Sequence, residues 1–210
     1  MIDRRTAKAL FAAVRKHENN TARELFKIHP QLVHATGVAP PKKDDGQSPL
    51  QIACKTGNFE IAQLLIDLGA DVSFQETSSI NEWTAPVLHD AIRAAVFCTA
   101  SGPGIAQEDS AKSFDLLKRF LTSGADPNAR DSYGNNGLHR VLLDARIRFS
   151  GDPEFPHSIA NRDLEKDIGA IVRMLMLAGA DPDGVHPKRE SARSFAAREK
   201  ALSSLLELRE

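Results

Sequence analysis

Residues 46–73 contain Gly46-Gln47-Ser48-Pro49-Leu50-Gln51-Ile52-Ala53, then Gly57-Asn58, then Ile61-Ala62-Gln63-Leu64-Leu65-Ile66-Asp67-Leu68, then Gly69-Ala70-Asp71-Val72-Ser73. Ser48 is suited to cap a helix and Pro49 to occupy its first turn. The apolar spacing over 61–68 reads as a second helix. Gly69 falls where the end of that helix needs a left-handed residue. Two further copies of the tripeptide, Gly124-Ala125-Asp126 and Gly179-Ala180-Asp181, each follow an apolar helical run, over 114–121 and 171–177. The helix start recurs as well, as Thr84-Ala-Pro-Val-Leu-His-Asp-Ala91 and Gly134-Asn-Asn-Gly-Leu-His-Arg-Val141. One tripeptide would carry no information. Three, each behind the same kind of helix, are a structural repeat of helix pairs.

The two elements together resemble the ankyrin repeat, whose first helix opens G-x-T-P-L-H-x-A and whose second ends in G-A-D-V-N. The resemblance covers nearly the whole chain and implies an all-α solenoid of helix-turn-helix pairs with short β-hairpin fingers, in one domain. Repeats are expected near 5–38, 43–75, 81–130, 131–185 and 186–210. The first and last read as capping repeats, with His29-Pro30 in place of the Gly-Ala turn at one end and Arg193 in place of a core Leu at the other. His89 and His139 fall at the motif histidine. In the family that imidazole bonds to backbone and ties neighbouring repeats together, so both are expected to be structural.

Spacing departs from the family. Ankyrin repeats run about 33 residues, whereas Gly69, Gly124 and Gly179 stand 55 apart. The excess lies near 96–111 and 146–163, where Ser101-Gly-Pro-Gly104, Gly151-Asp-Pro153 and Phe155-Pro156 mark turns. Helical patterning continues on both sides, so longer helices meeting at a displaced turn are expected, with a shared ridge that could touch a partner.

Composition narrows the function. Hydrophobic residues are 41% and charged residues 26% of 210, which excludes a disordered or fibrous chain. A formal net charge of -1 argues against nucleic acid as partner. No apolar run reaches the ~18 residues of a membrane span. The run Leu10–Val14 is too short for a signal core. Two cysteines, Cys54 and Cys98, are too few for a disulfide framework and suggest a reducing compartment. A cytoplasmic monomer is the expectation, and the Ala-, Arg- and Asp-rich style points to a bacterial chain.

Chemical motifs are missing. There is no G-x-S-x-G, no phosphate loop, no C-x-x-C and no metal-ligand spacing among the histidines. No catalytic residue, metal or cofactor is therefore assigned. Asp44 and Asp45 read as solvated finger acids. The resemblance implies a concave surface built from finger tips and the exposed sides of the first helices. Counting from the motif anchors places Asp45, Gln47, Lys55, Glu82, Trp83, Arg93, Ser132, Tyr133, Asn135, Asp144 and Lys188 there. Trp83 and Tyr133, the single Trp and single Tyr, occupy equivalent positions of consecutive repeats. Mixed charge with central aromatics suits a protein partner. A non-enzymatic interaction module, such as an adaptor or host-directed effector, is the first reading. A bacterial immunity protein that blocks a cognate toxin is the alternative.

Overall fold

The computed structural model describes residues 3–99, 107–149 and 160–207. Helices α1 (Arg4–Arg15) and α2 (Asn19–Ile28) form the first pair, α3 (Pro49–Thr56) and α4 (Phe59–Asp67) the second. α5 (Val87–Phe97) with α6 (Gln107–Thr122) and α7 (Gly137–Phe149) with α8 (Ala160–Leu177) follow. The short α9 (Ala192–Ala196) and α10 (Lys200–Leu206) close the stack. First helices pack on one another in the order α1, α3, α5, α7, α9, and second helices form a parallel row behind them. The result is an all-α repeat solenoid. Each pair is only one layer thick, so a pair cannot bury its own apolar face and depends on its neighbours.

The repeated tripeptide has a complete local explanation. Gly69, Gly124 and Gly179 have φ of 85°, 93° and 93°, a region costly for any residue bearing a Cβ. At the second copy the N–H of Gly124 bonds to the carbonyl of Leu121 and that of Ala125 to Phe120, closing the helix end. The alanines Ala70, Ala125 and Ala180 turn inward and are buried. Each aspartate then accepts the backbone N–H two residues on, from Ser73, Asn128 and Asp183, at 2.8, 2.8 and 2.9 Å. Glycine bends the chain, alanine fits under it, and aspartate starts the finger as an Asx turn.

Helix starts vary around the same need. Ser48 Oγ accepts from the N–H of Gln51 at 3.1 Å and Asn136 Oδ1 from that of His139 at 3.1 Å. Ser191 does the same for Ser194 at 3.1 Å. Pro86 precedes α5 with no side-chain cap, and proline needs no N–H partner there. The motif histidines act across repeats as the resemblance implies. Nε2 of His89 bonds to the carbonyl of Ala129 at 3.2 Å, and Nε2 of His139 to that of Glu190 at 2.9 Å.

The inserted residues lengthen helices. α5 to α8 run 11, 16, 13 and 18 residues, against 8 and 9 for α3 and α4. The proposed turns at 101–104 and 151–156, and the ridge they would form, lie outside the described residues. The fingers differ from expectation. Among the described residues they contain no strands, only the isolated bridges Gln75–Pro86 and His186–Arg189. Side-chain and cross-finger bonds take over: the N–H of Ser132 bonds to the carbonyl of Thr84 at 2.9 Å, and that of Thr77 to Gly46 at 3.0 Å. No described helix is long and apolar enough to cross a membrane.

Candidate protein-binding surface

The fingers and first helices share one face, and eight of the eleven residues expected there reach solvent at least partly. Trp83 is half-buried. Its indole Nε1–H donates to Asp131 Oδ2 at 2.9 Å, which bridges the fingers before α5 and α7. Asp131 Oδ1 accepts the backbone N–H of Tyr133 at 3.0 Å and that of Asn135 at 2.9 Å. Tyr133 remains 51% exposed. Burial raises the Asp131 carboxyl, but the bonds from Asn135 and Trp83 outweigh it and hold it below the ordinary carboxylate value. One ionised carboxylate therefore fixes both aromatic positions.

Ser132 lies between them, half-buried, donating from Oγ to the carbonyl of Glu82 at 3.2 Å. Glu82 is exposed. Lys188 is exposed and reaches back to the carbonyl of Ser132 at 3.1 Å. Asp45 is half-buried and accepts from Ser78 Oγ at 2.9 Å and the N–H of Ala39 at 3.1 Å. Lys55 places its ammonium 5.8 Å from the Trp83 ring centroid, and Arg93 its guanidinium 4.8 Å from that of Phe97. Both distances lie within reach of cation–π attraction.

Three expected surface residues lie inside. Gln47, Asn135 and Asp144 are 4%, 5% and 0% exposed. Gln47 Nε2 donates to Glu76 Oε1 at 3.2 Å, because the lengthened finger at 76–83 folds over it. Asn135 is consumed by the Asp131 carboxylate at 2.9 and 3.1 Å. Asp144 is held by Arg140 Nε at 2.8 Å and Arg93 Nη1 at 2.9 Å. Asp44, expected in solvent, is also buried and paired with Arg15. The 3-10 turn Lys42–Asp44 directs it against α1.

Beneath Lys55 lies a polar cluster the sequence did not disclose. Gln51 Nε2 sits 3.2 Å from Glu76 Oε2 and 3.0 Å from Asp90 Oδ2, and both acids are buried. Lys55 Nζ approaches them at 3.5 and 4.0 Å. Burial pushes the Asp90 carboxyl up to about 6, against the pull of Lys55 and Gln51. Beside it a groove of about 480 Å³ opens between α3 and α5, walled by Trp83, Phe97, Cys98 and Phe59. Phe97 was legible in principle, since it lies one helical turn from Arg93. Among the described residues no group of three or more His, Cys, Asp or Glu is placed to hold a metal ion.

Stacked helix pairs, left-handed Gly-Ala-Asp ends and histidines that bridge repeats define a class of repeat protein. Residues 2–76 match the family model for ankyrin repeats, with 3 copies. The chain is also 29% identical over 112 residues to the E3 ubiquitin-protein ligase KEG of Arabidopsis thaliana. That alignment covers 47% of this chain and 7% of the plant protein.

Proposed function

We propose that this chain is a non-enzymatic protein-binding module that engages its partner through the finger and first-helix face. Ankyrin repeats generally mediate protein–protein interaction, and the face supplies what such a contact needs. The observation that carries the reading is Tyr133: a large aromatic residue, 51% exposed, on backbone held by the buried carboxylate of Asp131. Rigid exposed aromatics are the commonest binding hot spots, because they bury much area at little entropic cost. The reading includes one domain with repeats near 5–38, 43–75, 81–130, 131–185 and 186–210, and a monomer in the cytoplasm where Cys54 and Cys98 stay thiols. The plant ligase's activity is not carried over, since the aligned share of that protein is so small.

Site-specific photo-crosslinking tests the reading. A benzoylphenylalanine at position 133 should capture a protein partner in cells, while the same group at Lys118 on α6 should not. Capture from 118 alone would place the contact on the opposite row of helices and overturn the assignment.

A further inference from the structure

Charge at the groove between α3 and α5 is stratified by depth. Lys55 and Arg93 reach its mouth with side chains 25% and 45% exposed. The side chains of Glu76, Asp90 and Asp144, which oppose them, are only 1%, 1% and 0% exposed. Three acids stand against these two cations, but the acids are buried and solvent meets the cations. Neither cation is saturated. Lys55 makes only long contacts, at 3.5 and 4.0 Å. Arg93 spends one Nη1–H on Asp144, and its other N–H groups have no hydrogen-bond partner among the described residues. An arginine can present a fork of donors to a carboxylate while keeping such a bond. The walls between the two cations are Phe97, Cys98, Ala94 and Trp83.

We propose that this groove receives an acidic segment of the protein partner, with one Asp or Glu carboxylate at Lys55 and Arg93 and an adjacent apolar side chain against Phe97. The proposal deepens the protein-binding reading and rests on it. Charge complementarity selects the occupant. A basic segment would meet two outward cations, and like charges brought together cost affinity. A nucleic acid needs a longer track of cations than two, since its binding grows with the number of phosphates neutralised. The apolar walls favour a side chain beside the carboxylate.

Peptide display on the full chain tests this. Randomised dodecamers panned at 50 mM salt should enrich an Asp or Glu next to Leu, Ile, Phe or Met. Their affinity should fall at least tenfold with Arg93→Glu and in 500 mM salt, and Arg93→Lys should retain part of it. Because Arg93 also contacts buried Asp144, a second readout uses the unaltered chain. Bound peptide should slow alkylation of Cys98, which lines the groove. Enriched peptides that lack acidic residues, or that leave Cys98 unprotected, would overturn the groove assignment while leaving the protein-binding reading intact. Failure to enrich any peptide, together with no capture from position 133, would overturn both.

Discussion

Trp83 donates its indole N–H to Asp131 across 2.9 Å, joining residues 48 positions apart in the chain. That bond makes Asp131 the organiser of two fingers, since the same carboxylate accepts the backbone N–H groups of Tyr133 and Asn135. Deleting it strands several donors at once. Asp131→Ala should destabilise by about 2 kcal/mol, the scale of a lost charged hydrogen-bond set. Trp83 is the single tryptophan, so its emission should shift to the red as the ring loosens. An unchanged spectrum and melting temperature would show that the finger does not depend on this carboxylate.

Helix ends give a cleaner test of backbone conformation. A Cβ built on Gly124 or Gly179 meets no atom beyond its chain neighbours within 4 Å, so the Cβ itself has room. The φ of 93° is what opposes a Cβ there. Gly124→Val and Gly179→Val should each cost about 1–2 kcal/mol. Urea denaturation of both variants measures this, and wild-type midpoints would mean that the left-handed turns are dispensable.

Asp144 carries a larger penalty. It is fully buried and receives Arg140 and Arg93 together. Burial pushes its carboxyl upward even with both guanidinium groups beside it. The pair is therefore costly to assemble and costlier to break. Asp144→Ala should lose about 3 kcal/mol by leaving Arg140 unpaired, whereas replacing Asp144 and Arg140 together by apolar residues should recover much of that. Thermal unfolding of the two variants distinguishes these outcomes. A double variant no better than Asp144→Ala would place the loss in packing rather than in an orphaned charge.

These residues also show where sequence reading succeeds and where it stops. Gly-Ala-Asp was legible because its chemistry is local: a positive φ, a small inward side chain and an Asx turn all lie within five residues. His89 and His139 were legible because a repeat motif fixes both the residue and its bond to the next repeat. Gln47, Asn135 and Asp144 were misplaced because exposure was counted from repeat position. That count cannot register Glu76 in a lengthened finger, or Arg140 one turn before Asp144 on the same helix. The Asp131–Trp83 bond spans two repeats of unequal length, and no periodicity links its ends. Depth-sorted charge in the α3–α5 groove is likewise a tertiary property, since Lys55, Asp90 and Arg93 read in sequence as ordinary helix charges.

Acid stability follows from buried groups that oppose one another. Burial lowers His89 and His139 from 6.5 to about 4, so the folded chain keeps both imidazoles neutral. The stability they contribute is present above pH 6.5 and is lost as pH falls toward 4, because the unfolded chain takes up protons first. Asp90 has the opposite sign. Its carboxyl rises from 3.8 to about 6, so its contribution is full below pH 4 and is lost as pH climbs through 6. The two histidines thus work against Asp90 over nearly the same window, and against Asp144, whose carboxyl burial also raises. Wild-type stability should fall on acidification from pH 7 to pH 4.5. Asp90→Asn removes one compensating group and should make that fall steeper. His89→Gln removes one of the two opposing groups and should make it shallower, although its absolute stability at pH 7 should drop with the loss of the bond to Ala129. Urea midpoints at half-unit pH intervals for the three proteins measure the slopes. An Asp90→Asn profile parallel to wild type would mean that Asp90 is ionised in the folded chain throughout this range.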